Sequence, residues 1–276
     1  MLKQRLIFGA LGIVLALAVL IYCNVTVIGC CVGVISVIGV YEFLKVTGLI
    51  KRKTPVVVVS FMYTAVLFTL AVFKGEFLKD NILLVISAYI FVLMSTMVFF
   101  RSKCSFADVA MSFMGTAYIS IFFLHILFIR QQELGYLNIW FIFVSAWSTD
   151  TFAYFAGRTL GKHKLCPTIS PKKTVEGAIG GILGCILCIC LYGFFCSKYG
   201  SVKVDYLAAT VLAVLTAVFS QVGDLAASCI KRENDVKDYG NLIPGHGGIL
   251  DRFDSALLIS PLVYYVLLYL PVLSAI

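Results

Sequence analysis

Residues 81–100 read NILLVISAYIFVLMSTMVFF, a run without a single charge, closed by Lys79 and Asp80 on one side and by Arg101 and Lys103 on the other. About 20 apolar residues is the length an α-helix needs to cross the hydrocarbon core of a bilayer. Lipid offers no hydrogen-bond partners, so a spanning segment must pair its own backbone groups, and a helix does so. The run does not alternate polar and apolar positions, which excludes a strand of a membrane barrel.

Outward from this stretch the same pattern recurs. It predicts nine spans, at 6–23, 25–44, 55–73, 81–100, 107–128, 137–157, 175–197, 206–226 and 256–276. Composition agrees. The chain is 61% hydrophobic and 13% charged, with a mean hydropathy of +1.00, whereas soluble domains carry about 25% charged residues. The expected fold is all-α, a polytopic integral membrane protein of about nine transmembrane helices. Residues 1–23 open with Lys3 and Arg5 and continue apolar, like a signal peptide, but no convincing small-residue cleavage site follows. They read as the first membrane helix. The turn at Asn24 is tight, and the first two spans could equally form one broken hairpin.

Charge sets the orientation. With a cytoplasmic N-terminus, 17 of the 22 Lys and Arg fall on the inner side of the nine-span scheme, the bias expected of cytoplasmic loops. The net charge of +8 then belongs to loops facing anionic lipid rather than to a nucleic-acid surface. The ten cysteines form no disulfide framework, and Cys185, Cys188 and Cys190 lie in an apolar run, where they read as packing residues rather than metal ligands. Polar residues concentrate late in the chain. This divides it into N-terminal scaffold helices, 1–136, and a C-terminal catalytic region, 137–276, with cytoplasmic loops 158–174 and 228–254.

The longest polar segment, 228–255, reads SCIKRENDVKDYGNLIPGHGGILDRFDS. Asp251 and Asp254 share a face if a helix starts after Gly248. With Asp224 just upstream, they make a set of hard oxygen donors suited to Mg²⁺. Lys231, Arg232, Lys237 and Arg252 suit phosphates. The glycines around His246 let backbone N–H groups approach an anion, with a helix N-terminus behind them. His246 itself suits either a phosphate contact or a structural role in the turn. A second cluster runs from Trp147 to Gly177. Asp150 is an acid inside an apolar span, which is costly and points to function. Lys172 and Lys173 follow in a basic loop, and Thr174 is placed to cap the next helix. Glu42 is another acid in an apolar span, near enough to its cytoplasmic end to reach the interface.

At these residues the chain resembles the phosphatidate cytidylyltransferase (CDP-diacylglycerol synthase) family. The resemblance rests on Ser228, Lys231-Arg232, Lys237-Asp238, His246-Gly247-Gly248 and Asp251-Arg252-x-Asp254. Upstream, Gln221 to Leu225, Thr149-Asp150 through Arg158, and Ser170 to Gly177 are similar to the family as well. The family usually has Glu where this chain has Ala227, and Gly where it has Phe152. The resemblance implies transfer of CMP from CTP to phosphatidic acid. It implies Mg²⁺ on Asp224 and Asp251, with Asp254 supporting it or a second cation such as K⁺. It implies catalytic or phosphate-holding roles for Lys231, Arg232, Lys237 and Arg252. It implies substrate contacts at Asp150, Lys172, Lys173, Ser228, Asp238, His246, Gly247 and Gly248. A homodimer in a bacterial inner membrane, with the site facing the cytoplasm, is also implied. The rival expectations are a CTP-dependent polyprenol or phytol kinase and a secondary transporter with Asp150 and Asp224 in its pathway.

Overall fold

A computed structural model describes residues 12, 14, 16–52, 54–242, 245 and 247–275. Of the expected span 6–23, residues 6–11, 13 and 15 lie outside the described residues, and the described ones are helical up to Tyr22. The architecture is helical, with two small antiparallel strand pairs. In order come α1 (Val25–Val46), α2 (Val56–Phe73), α3 (Gly75–Asp80), α4 (Ile82–Phe99), α5 (Phe106–Arg130), α6 (Gly135–Asn138) and α7 (Trp140–Leu160). Then follow β1 (Lys164–Cys166), β2 (Ser170–Thr174), α8 (Val175–Tyr199), β3 (Val202–Val204), α9 (Tyr206–Glu233), α10 (Leu250–Tyr269) and β4 (Leu273–Ala275). Among the described residues six helices, α1, α2, α4, α5, α8 and α9, are long and apolar enough to cross a membrane by length and composition. The chain is therefore a multi-pass, helical membrane protein.

Several boundaries differ from expectation. Asn24 does separate two helical stretches: its side chain accepts from Val27 N–H at 2.9 Å and caps α1. The last apolar stretch, expected as a span over 256–276, is instead a helix ending at Tyr269 followed by β4, which pairs antiparallel with β3. The basic loop after α7 is a β-hairpin, with Lys164 opposite Thr174 and Cys166 opposite Ser170.

The chain folds into two compact units, one built from residues up to Leu127 with Asn234–Arg252, the other from Phe128–Glu233 with Phe253 onward. In the first unit, Ser105 and Asp108 form a reciprocal cap at the start of α5. Asp108 Oδ2 accepts from Ser105 N–H at 2.9 Å and from its hydroxyl at 2.7 Å, while Asp108 N–H donates back to Ser105 Oγ. Arg52 adds an ion pair to Asp108 at 2.7 Å. A buried seam of hydroxyls joins α2, α4 and α5 through Ser60–Ser112 at 2.6 Å, Ser60–Tyr89 at 3.2 Å and Thr64–Ser120 at 2.9 Å. Such interhelical bonds replace the hydrophobic drive that is missing between helices in lipid.

In the second unit α7 and α8 lie very close, because α8 presents glycines. A Cβ at Gly177 would sit 2.8 Å from Ala153 O, and one at Gly181 3.0 Å from Thr149 O. Gly184 leaves room for the ring of Phe152, which packs directly over it. The bulk at 152 is thus matched by the missing side chain at 184. Thr174 caps α8 by accepting from Gly177 N–H at 3.1 Å, as its position in the sequence suggested. Asp205 caps α9 through Leu207 and Ala208 N–H.

Candidate active site

The polar residues of the second unit gather around Asp224. On strand β2 Lys172 is exposed, while Lys173 is partly buried and pairs with Asp224, Nζ to Oδ2, at 2.6 Å. The hairpin that presents Lys173 is held by Glu176, at the start of α8. Its carboxylate accepts from Lys162 and His163 N–H at 3.1 and 3.2 Å and lies 2.6 Å from His163 Nδ1. Gly223 determines where Asp224 sits. A Cβ there would lie 2.8 Å from Asp254 O and 3.0 Å from Leu258 Cβ, so only glycine lets α9 come this close to α10. Asp150, Asp224 and Asp254 are within electrostatic reach of one another, and Lys173 and the buried Lys231 supply the balancing charge. Ser228 lies half-buried on α9, one turn beyond Asp224, and Arg232 is exposed near the end of that helix. The buried Ala227 occupies the position where a Glu was expected, and nothing in the structure explains the change.

The first unit holds the other half of the signature. Lys237, Asp238 and Arg252 are exposed, and His246 lies outside the described residues. Gly245 and Gly247 have φ of 78° and 83°, a left-handed backbone that glycine adopts without a Cβ penalty. The backbone N–H groups of this turn do bind anions, but the anions are the protein's own. Asp251 Oδ2 accepts from Tyr239 N–H at 2.8 Å and from Gly248 N–H at 2.9 Å. The two oxygens of Glu42 accept from Ile249 and Leu250 N–H, each at 2.9 Å. Glu42 is 3% exposed and Asp251 7%. Glu42 therefore does not reach for the membrane interface, as its place in span two suggested; it caps α10. Sequence reading missed that role, because the partners are more than 200 residues apart. Gly248 and Gly240 are the trace of it: a Cβ at either would collide with the Glu42 carboxylate.

Among the described residues no group of three His, Cys, Asp or Glu side chains is gathered to hold a metal ion. Mg²⁺ keeps several waters and is commonly held by one or two carboxylates together with substrate phosphates, so two carboxylates within electrostatic reach of each other are chemically suited to it. Asp224 and Asp254 offer such a pair, with hard oxygen donors. Chemically, the second unit offers acids for a cation and lysines for phosphates. The first offers a glycine turn pinned from within.

The sequence profile of the cytidylyltransferase family matches residues 3–270. A phosphatidate cytidylyltransferase of Staphylococcus epidermidis is 38% identical over 227 residues, 82% of this chain and 81% of that protein. One of Staphylococcus saprophyticus is 39% identical over 194 residues, 70% of this chain and 72% of the relative. One of Bacillus subtilis is 40% identical over 179 residues, 64% and 65% of the two. The match runs through both polar clusters and most of the membrane helices, and the chain belongs to the cytidylyltransferase family.

Proposed function

We infer that this chain transfers CMP from CTP to phosphatidic acid, giving CDP-diacylglycerol and pyrophosphate for phospholipid biosynthesis. Family membership and the relatives' printed activity support the reaction. The observation that carries it in the molecule is the Lys173–Asp224 pair at 2.6 Å, with Asp150, Asp254 and Lys231 around it. It is the mixture of acids and cations that a metal–triphosphate substrate needs.

In this reading a phosphate oxygen of phosphatidate attacks the α-phosphorus of CTP. The bond between that phosphorus and the oxygen bridging to the β-phosphate breaks, and pyrophosphate leaves. The attacking phosphate is already ionised, so the protein's task is to position anions and to neutralise charge. Asp224 and Asp254 would hold Mg²⁺, and Asp251 stays in that set on the strength of the resemblance. Bound there, the ion would stabilise charge on the triphosphate. Lys172, Lys173, Lys231, Arg232, Lys237 and Arg252 would hold the triphosphate and the lipid phosphate. Asp150 would keep Lys173 aligned with Asp224. The acyl chains would stay in the bilayer.

The inner membrane, a cytoplasmic site, a second cation such as K⁺ and a homodimer complete the proposal. Charge bias supports the orientation, and the family resemblance supports the rest. The test is position-specific label. With CTP labelled at the α-phosphate, label enters the lipid. Label entering from the γ-phosphate instead would mean a lipid kinase.

A further inference from the structure

We propose that Glu42, in the N-terminal helix α1, is a positioning residue for the nucleotide-handling loop 237–252. This rests on the reading above, which gives Lys237, Asp251 and Arg252 roles in that loop. Glu42 touches no candidate substrate group; it acts through the backbone. Its two oxygens take the N–H groups of Ile249 and Leu250, each at 2.9 Å. These N–H groups lie just before and at the first residue of α10, where no partner within the helix is available. The adjoining residue, Asp251, takes Tyr239 and Gly248 N–H with one oxygen.

Two buried carboxylates thus hold the backbone at Tyr239 and at Gly248, Ile249 and Leu250, and they lie within electrostatic reach of each other. Burying two acids side by side is costly unless each is well hydrogen-bonded. An aliphatic residue at 42 would serve packing as well. What the carboxylate adds is a fixed place for the first turn of α10, from which Asp251 and Arg252 project. The glycines at 240 and 248 give independent support. Each lacks the Cβ that would strike Glu42, so the backbone at these two positions is shaped around this acid.

The experiment uses the full-length protein in detergent, comparing wild type with Glu42→Gln. The amide keeps the size but sets an NH₂ group against one of the two backbone donors. The expected result is a rise of about tenfold or more in KM for CTP, with KM for phosphatidate unchanged, per mole of folded protein. Amide hydrogen exchange in 239–252 should quicken by a similar factor while α2 and α8 stay protected. If Glu42→Gln does not fold, Glu42→Asp, one methylene shorter and still charged, takes its place with the same expectation. Kinetic constants and loop exchange equal to wild type would overturn the proposal, as would a loss of stability with no change in KM for CTP. Should wild type itself fail to turn over CTP, the reaction reading fails. The exchange measurement would then still decide whether Glu42 holds the loop.

Discussion

Lys173 Nζ and Asp224 Oδ2 lie 2.6 Å apart, joining a β-hairpin that follows α7 to the middle of α9. Both side chains are about a quarter to a third exposed, and a pair so placed adds only about 0–1 kcal/mol to stability. On the proposed reading its value is functional. Lys173→Met should leave thermal unfolding in detergent within a few degrees of wild type and lower turnover at least about 100-fold. The swapped pair, Lys173→Asp with Asp224→Lys, should restore the ion pair and not the activity. Full activity in the swap would mean that the pair is a staple only.

On the proposed reading the same cluster makes turnover depend on a divalent cation. Chelation of divalent ions should abolish turnover, and Mg²⁺ should restore it. Asp254→Asn removes one of the paired donors and should raise the Mg²⁺ concentration for half-maximal activity about tenfold or more. An unchanged Mg²⁺ titration would remove Asp254 from the cation set.

Gly223→Ala tests the close approach that seats Asp224. The added methyl meets Asp254 O at 2.8 Å and Leu258 Cβ at 3.0 Å, both on the packed face of a helix. Overpacking of this kind costs about 1–3 kcal/mol. The expected outcome is a lower unfolding temperature together with reduced turnover. Wild-type values for both would show that α9 and α10 can separate without consequence.

The Phe152 ring over Gly184 predicts a coupled pair. Gly184→Ala drives a methyl into the ring and should destabilise the protein. The same change in a Phe152→Gly background should be tolerated, because the ring is gone. Unfolding temperatures of the two single variants and the double variant measure the coupling, and strict additivity would contradict the packing account.

How far the sequence reveals this molecule depends on the range of each interaction. Local signals were legible. Thr174 caps the helix that follows it, the tight turn at Asn24 separates two helical stretches, and the apolar runs from Val25 to Phe99 are helices close to the expected bounds. The Lys173, Asp224, Asp150 and Asp254 grouping could be expected because each residue is an expensive or clustered charge. Long-range signals were hidden. Glu42 looked like an acid near a helix end, since nothing local marks a partner more than 200 positions away. Gly240 and Gly248 read as turn residues when they also make room for that carboxylate. The hairpin at 164–174 is too short and too basic to show strand alternation. The last span was drawn too long because the residues after Tyr269 are apolar. Pro271, which has no N–H to give a helix, is the stop signal that the hydropathy concealed.

The central claim is the reaction, and its stoichiometry tests it most directly. Purified protein in vesicles, with Mg²⁺ and CTP, should release pyrophosphate only when phosphatidic acid is present. Each pyrophosphate released should match one CMP-bearing lipid formed. Turnover of CTP with a lipid alcohol as acceptor, and none with phosphatidic acid, would contradict the account.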